Sequence, residues 1–231
     1  MRTSSRAVSA GLAACSLLAA VSAAAPPPRL RDLTRNYRAS KAPADGRLLA
    51  SFSDSLRGDD RALARLALGI AEFDAGRYGE AAEALAGAGV AGALADYAVY
   101  YPARALARAE RFGEVEPLLA GFARAHAASP FVRDANRLRA ESLIRADRLA
   151  AAAALLADRQ AAFSEPARLY LLGRARELSG SPLDAVEAYR RAYYRYPFSD
   201  DAKAAEERLE ALRRSLGARY PEASVSLRLA R

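Results

Sequence analysis

From about Arg47 to Leu216 the apolar residues recur every three or four positions, and nowhere do they alternate as a half-buried strand would require. Ala62, Leu66, Gly69, Ile70 and Phe73 fall on one helical face, as do Leu138, Ser142 and Leu149 with their neighbours. Prolines stand between such stretches, where they end a helix or open the next. The pattern predicts an all-α chain with helix pairs near residues 59–87, 93–127, 131–158 and 165–196, then one more helix near 199–216. Residues 26–46, opened by Pro26-Pro27-Pro28, read as a flexible linker, and 217–231 as a C-terminal tail.

The pairs repeat. Gly76-Arg77-Tyr78, Glu110-Arg111-Phe112, Asp147-Arg148-Leu149 and Gly180-Ser181-Pro182 each stand where a pair must turn, and Tyr78, Phe112, Leu149 and Pro182 are 34, 37 and 33 residues apart. That is the tetratricopeptide period, so a solenoid of about four helix pairs plus a C-terminal helix is expected over 47–216. Two units carry the small-and-large pattern of such repeats: Leu68-Gly69 with Ala81, Leu85 and Ala88, and Leu172-Gly173 with Ala185, Tyr189 and Ala192. Small residues let two helices approach closely, and large ones wedge between units. The middle units are degenerate, with Ala103 and Ala140 in place of glycine.

The first 25 residues have another character. Arg2 and Arg6 precede an apolar stretch from Ala7 to Ala20, and Val21-Ser22-Ala23 and Ala23-Ala24-Ala25 offer small residues for cleavage. A bilayer span needs about 20 strongly apolar residues, more than this stretch supplies. Residues 1–25 therefore read as an export signal, with a periplasmic destination. Leu12-Ala13-Ala14-Cys15 also matches a lipobox, so lipidation at Cys15 and a membrane anchor are the alternative.

Two runs carry a family resemblance. Leu94-Ala95-Asp96-Tyr97-Ala98-Val99-Tyr100-Tyr101, opening a pair, and Ala188 to Ser199, closing one through Tyr196-Pro197-Phe198-Ser199, resemble the superhelical N-terminal region of soluble lytic murein transglycosylases. The likeness spans about Arg47 to Leu216 and implies an exported helical arc that holds peptidoglycan beside a lysozyme-like catalytic domain. The family's active site is a glutamate followed by serine, with a Gly-Leu-Met-Gln run downstream. Glu141-Ser142 is the only such dipeptide here, it falls inside a predicted repeat helix, and Met1 is the only methionine. No catalytic residue is therefore assigned. A stand-alone scaffold and the helical part of a transglycosylase lacking its catalytic domain are both open.

Composition narrows the chemistry further. One cysteine and one histidine in 231 residues leave no ligand set for zinc and a single possible base for a triad, His126, which nothing in the neighbouring sequence singles out, so no metal and no cofactor is expected. Gly87-Ala88-Gly89-Val90-Ala91-Gly92 matches a dinucleotide loop in its glycines, but it follows a predicted helix instead of a strand. The net charge is +8, and loss of Arg2 and Arg6 with the signal takes 35 basic residues to 33 against 27 acidic, or +6. The arginines are interleaved with acids along every helix, so no nucleic-acid stripe forms. Superposing the units on their turns brings Tyr97, Tyr100 and Arg104, then Arg137 and Glu141, then Tyr170 and Arg174 to the inner face of the first helices. Tyrosine rings suit sugar faces and guanidinium forks suit carboxylates, so these seven residues are the candidate groove for peptidoglycan or an envelope protein or peptide. Packing between repeats is the other use of such tyrosines: Tyr97 and Tyr101 are four apart on one face.

Overall fold

The computed structural model describes residues 28–222. The expected signal segment 1–25, with Cys15, and the end of the tail from 223 on lie outside the described residues. Among the described residues every regular element is helical. Two helices, α1 (Pro28–Ser40) and α2 (Pro43–Ser55), precede the four expected pairs. These are α3 (Gly58–Asp74) with α4 (Tyr78–Leu85), and α5 (Ala95–Arg108) with the short α6 (Val115–Leu119) and α7 (Phe122–Ala125). Next come α8 (Val132–Arg145) with α9 (Leu149–Ala157), and α10 (Glu165–Leu178) with α11 (Pro182–Arg195), before the closing α12 (Asp200–Leu216).

One turn, used four times, sets the pairing. The second residue after each first helix has a left-handed backbone: Gly76 at φ 81°, Glu110 at 60°, Asp147 at 57° and Gly180 at 78°. The next amide then reaches back over the helix end, from Arg77 to the Glu72 carbonyl at 3.0 Å, Arg111 to Leu106 at 2.9 Å, Arg148 to Leu143 at 2.8 Å and Ser181 to Arg176 at 2.9 Å. This closure satisfies carbonyls that the helix leaves orphaned and sends the chain back along itself. Within the first and last of these pairs the small residues act as expected: a side chain at Gly69 would run into Leu85, and one at Gly173 into the Tyr189 ring. Ala103 and Ala140 are both fully buried in the middle units.

The apolar interior is a string of patches. Leu30, Tyr37 and Leu49 form the first, and clusters centred on Leu85 and Leu119, on Leu143 and Leu156, and on Tyr189 and Leu209 follow along the chain. Each element packs on its sequence neighbours, and the first helices also pack on one another, α8 on α10 and α10 on α12. Arg137 of α8 pairs with Asp201 of α12 at 2.9 Å, so α8 and α12 are tied across two successive units. The fold is all-α and solenoid-like, with contacts that are local in sequence.

Three boundaries differ from expectation. Residues 26–46 are not a flexible linker over their described part, because Leu30, Leu33 and Tyr37 place an apolar stripe on α1 and Tyr37 is 1% exposed. Gly46 is the reason the ring fits: a side chain there would lie 2.8 Å from Tyr37 Cζ. Arg77 secures the contact, donating to Glu72 Oε2 at 2.5 Å, to the Lys41 carbonyl at 3.3 Å and to the Tyr37 hydroxyl. The tail, over its described part, folds back through a 3-10 turn at Gly217–Arg219. Tyr220 lies between the guanidinium groups of Arg190 at 4.9 Å and Arg213 at 5.3 Å. Last, the second helix of the second pair is broken into α6 and α7, with Pro117 in the former and Gly121 before the latter.

Candidate functional site

The first helices enclose an open groove of about 500 Å³, with α3, α5, α8 and α10 each supplying part of its wall. Arg104, Glu141, Tyr170 and Arg174, four of the seven residues expected there, line it together. Three repeat units, through α5, α8 and α10, thus contribute expected residues to one surface. Arg137 stands beside them but is held within the protein, its Nε donating to Glu141 Oε1 at 2.7 Å and its other nitrogens engaging Asp201. It ties α8 to α12 instead of lining the groove.

Tyr97 and Tyr100 are corrections to the expected set. Tyr100 is 6% exposed and stacked on Phe131 at 4.6 Å, and burial raises its hydroxyl pKa above the ordinary tyrosine value. Tyr97 stacks on Tyr101 at 5.7 Å and meets the Phe131 ring edge-on at 4.9 Å. The cause is Phe131, which precedes α8 and fills the space between α8 and the opening of α5, drawing both tyrosines into the core.

The structure adds residues that the sequence argument left out. Arg108 and Arg145 also line the groove, one helical turn beyond Arg104 and Glu141, so extending the same stripe by four residues finds them. Phe73 and Phe112 complete it. Arg104 lies over the Phe73 ring at 4.6 Å, with Tyr101 at 5.3 Å and Tyr100 at 5.6 Å. Arg145 lies over Phe112 at 4.7 Å, and Arg108 over Tyr78 at 4.6 Å while donating to its hydroxyl at 2.6 Å. Such stacking holds a guanidinium plane in place while its N–H groups, which lie in that plane, remain directed sideways.

Charge in the groove is one-sided: four guanidinium groups, of Arg104, Arg108, Arg145 and Arg174, face one carboxylate, Glu141. Arg104 makes no ion pair among the described residues, and the Glu110 partner of Arg145 is 3.9 Å away with both side chains well exposed. Arg174 leans toward Glu177 at 3.4 Å, a carboxylate that already accepts from the Tyr189 hydroxyl at 2.7 Å and from Arg208 Nε at 3.1 Å. Burial pushes the Glu177 pKa up. The hydrogen bonds from Arg208 and Tyr189, with the charges of Arg208 and Arg174, outweigh that and hold it below the ordinary value. Tyr189 is raised, by burial first and by its bond to Glu177 second. This cluster braces the groove's rim by joining α10, α11 and α12.

No group of metal-ligating side chains occurs among the described residues, and no helix among them is long and apolar enough to cross a membrane. Comparisons with models of protein families, with curated proteins and with solved structures find no match to the chain.

Proposed function

We propose that the chain is a non-catalytic, exported helical-repeat module that binds peptidoglycan, or a protein or peptide of the cell envelope, along the inner side of its array. The observation that carries this is the groove itself, which draws on the first helices of all four pairs and sets four arginines against a single acid. An extended anionic ligand is its electrostatic complement. The apolar leader at residues 1–25, with Cys15 as the alternative point of lipid attachment, supports export to the periplasm. The tetratricopeptide-like spacing and the transglycosylase-like runs at 94–101 and 188–199 favour murein over other envelope polymers.

Glu141 supports a binding role over a lytic one. A general acid for glycoside cleavage is kept protonated by an apolar, desolvated setting. Glu141 is instead 40% exposed and ion-paired to Arg137. Retention on purified sacculi tests the proposal, with the full chain compared to Arg104→Ala combined with Arg174→Ala. Sacculi should retain the parent and lose the double variant, with no soluble turnover products. Equal retention of both proteins, or none of the parent, removes the reading.

A further inference from the structure

We infer that the groove reads the peptide part of its ligand, a short chain bearing at least two carboxylates and one ammonium, and does not read sugar rings. This rests on the binding role proposed above and narrows it. A protein platform for sugars offers open aromatic faces, and here most of the rings are already engaged by guanidinium groups or by other rings. Arg104 covers Phe73 at 4.6 Å and Arg145 covers Phe112 at 4.7 Å. Tyr100 is stacked on Phe131 in the core, and Tyr97 on Tyr101. Tyr170 leans on Tyr189 at 5.9 Å and is half-buried. A ligand entering the groove therefore meets guanidinium groups seated on rings.

What those groups can bind follows from their neighbours. Arg104 has no acidic partner among the described residues, and Arg145 and Arg174 have partners at 3.9 and 3.4 Å that are exposed or already shared. Each can close a forked pair on an incoming carboxylate. Arg104, Arg145 and Arg174 come from three helices, α5, α8 and α10, and Glu141 already pairs with Arg137, so a ligand with two carboxylates matches the charge of the groove better than one with a single carboxylate. Glu141 is the groove's single acid. Its Oε1 accepts from Arg137, whereas Oε2 has no donor among the described residues and can take an ammonium. A volume of about 500 Å³ is enough to seat a short peptide. The stem peptides of peptidoglycan carry this set: the carboxylates of glutamate and diaminopimelate and the side-chain amine of the latter.

Isothermal titration of the full chain decides the matter, with L-alanyl-γ-D-glutamyl-meso-diaminopimelate as the probe. The same peptide with its carboxylates amidated, the same peptide acetylated on the diaminopimelate side-chain amine, and peptide-free glycan strands complete the set. Amidation should weaken binding by about tenfold or more, the scale of one lost charge-assisted hydrogen bond. Arg145→Ala, at an exposed position, should do the same while the helical circular dichroism stays unchanged. Acetylation should weaken the parent, and Glu141→Gln should remove that sensitivity. Glycan strands that bind as well as the tripeptide, or an amidated tripeptide within about twofold of the native one, would overturn the inference. If sacculi hold the parent while amidation has no effect, this inference alone fails. If sacculi do not hold it, the binding role itself fails.

Discussion

Replacing Glu177 with glutamine should loosen one end of the array, and only at a pH where the native carboxylate is ionised. Its side chain is 13% exposed and draws on three helices: Arg174 of its own α10, the Tyr189 hydroxyl of α11 and the Arg208 guanidinium of α12. Breaking a buried charged pair by removing one partner costs about 3–5 kcal/mol. Two features lower that figure here. Glutamine keeps the volume and one acceptor oxygen, and Arg208, with its side chain 36% exposed, can turn toward water. About 2 kcal/mol is therefore expected at neutral pH.

The pH dependence follows from the direction of the shift. The native Glu177 pKa lies below the ordinary value of 4.5, so its contribution is complete above that value and is lost as pH falls through the native one. Urea unfolding of parent and Glu177→Gln should thus differ at pH 7, with the gap narrowing as pH falls below 4.5. Hydrogen exchange should localise the change to amides of α10, α11 and α12, because units of a solenoid contact only their neighbours. A variant within about 0.5 kcal/mol of the parent at pH 7, or a gap that does not narrow as the pH is lowered, would refute the assignment of Glu177 as an ionised tie.

Two further perturbations test the fold. Gly76→Ala should destabilise the chain by about 1 kcal/mol, since φ is 81° there and nothing lies within 4 Å of an added Cβ, so the cost is purely conformational. A neutral result in thermal unfolding counts against the left-handed turn. Arg77→Ala removes the group that joins Tyr37, Lys41 and Glu72, and leaves a carboxylate whose pKa burial and Glu80 already raise. The amides of α1 and α2 should lose exchange protection before those of α5, by about 2–3 kcal/mol in opening free energy; unchanged protection of α1 would sink the idea.

Periodicity made the array legible because each pair solves the same problem in the same place. The turns at Gly76, Glu110, Asp147 and Gly180 stand out in sequence since each breaks a helical stripe before an apolar anchor, and all four adopt the same left-handed geometry. The N-terminal pair was hidden for a compositional reason: Leu30, Leu33 and Tyr37 are sparse among Arg29, Arg31, Asp32, Arg35 and Arg38, and a stripe of three apolar residues is hard to tell from linker. Half of the groove was legible for a related reason. Position on the first helix sorts residues to the inner side, which brings Arg104, Glu141, Tyr170 and Arg174 together. Which way a tyrosine turns depends on the helix that follows, and Phe131, distant in sequence from Tyr97, decides it.

The arginine excess also has a structural division of labour that composition alone obscures. Some arginines fasten helix ends: Arg168 donates to the carbonyls of Leu156 in the last turn of α9 and of Asp158 and Ala161 beyond it, and Arg65 to those of Glu83 and Ala84 in α4. Arg190, 6% exposed, gathers the Pro221 and Glu222 carbonyls and so docks the tail. Others pair with acids across helices, as Arg139 does with Glu116 through two bonds of 2.5 and 2.6 Å. Each of these contacts uses the planar fork, which lysine lacks, and this fits a chain whose lysines are only Lys41 and Lys203. Arginines used in this way are unavailable to a ligand, so net charge overstates the cationic surface. What distinguishes Arg104 is that its stacking on Phe73 and Tyr101 holds the side chain without neutralising it. A positioned, uncompensated guanidinium is the costly arrangement, since a nearby acid would stabilise the free protein. The inner wall, where it occurs, is therefore the surface on which an anionic ligand has most to gain.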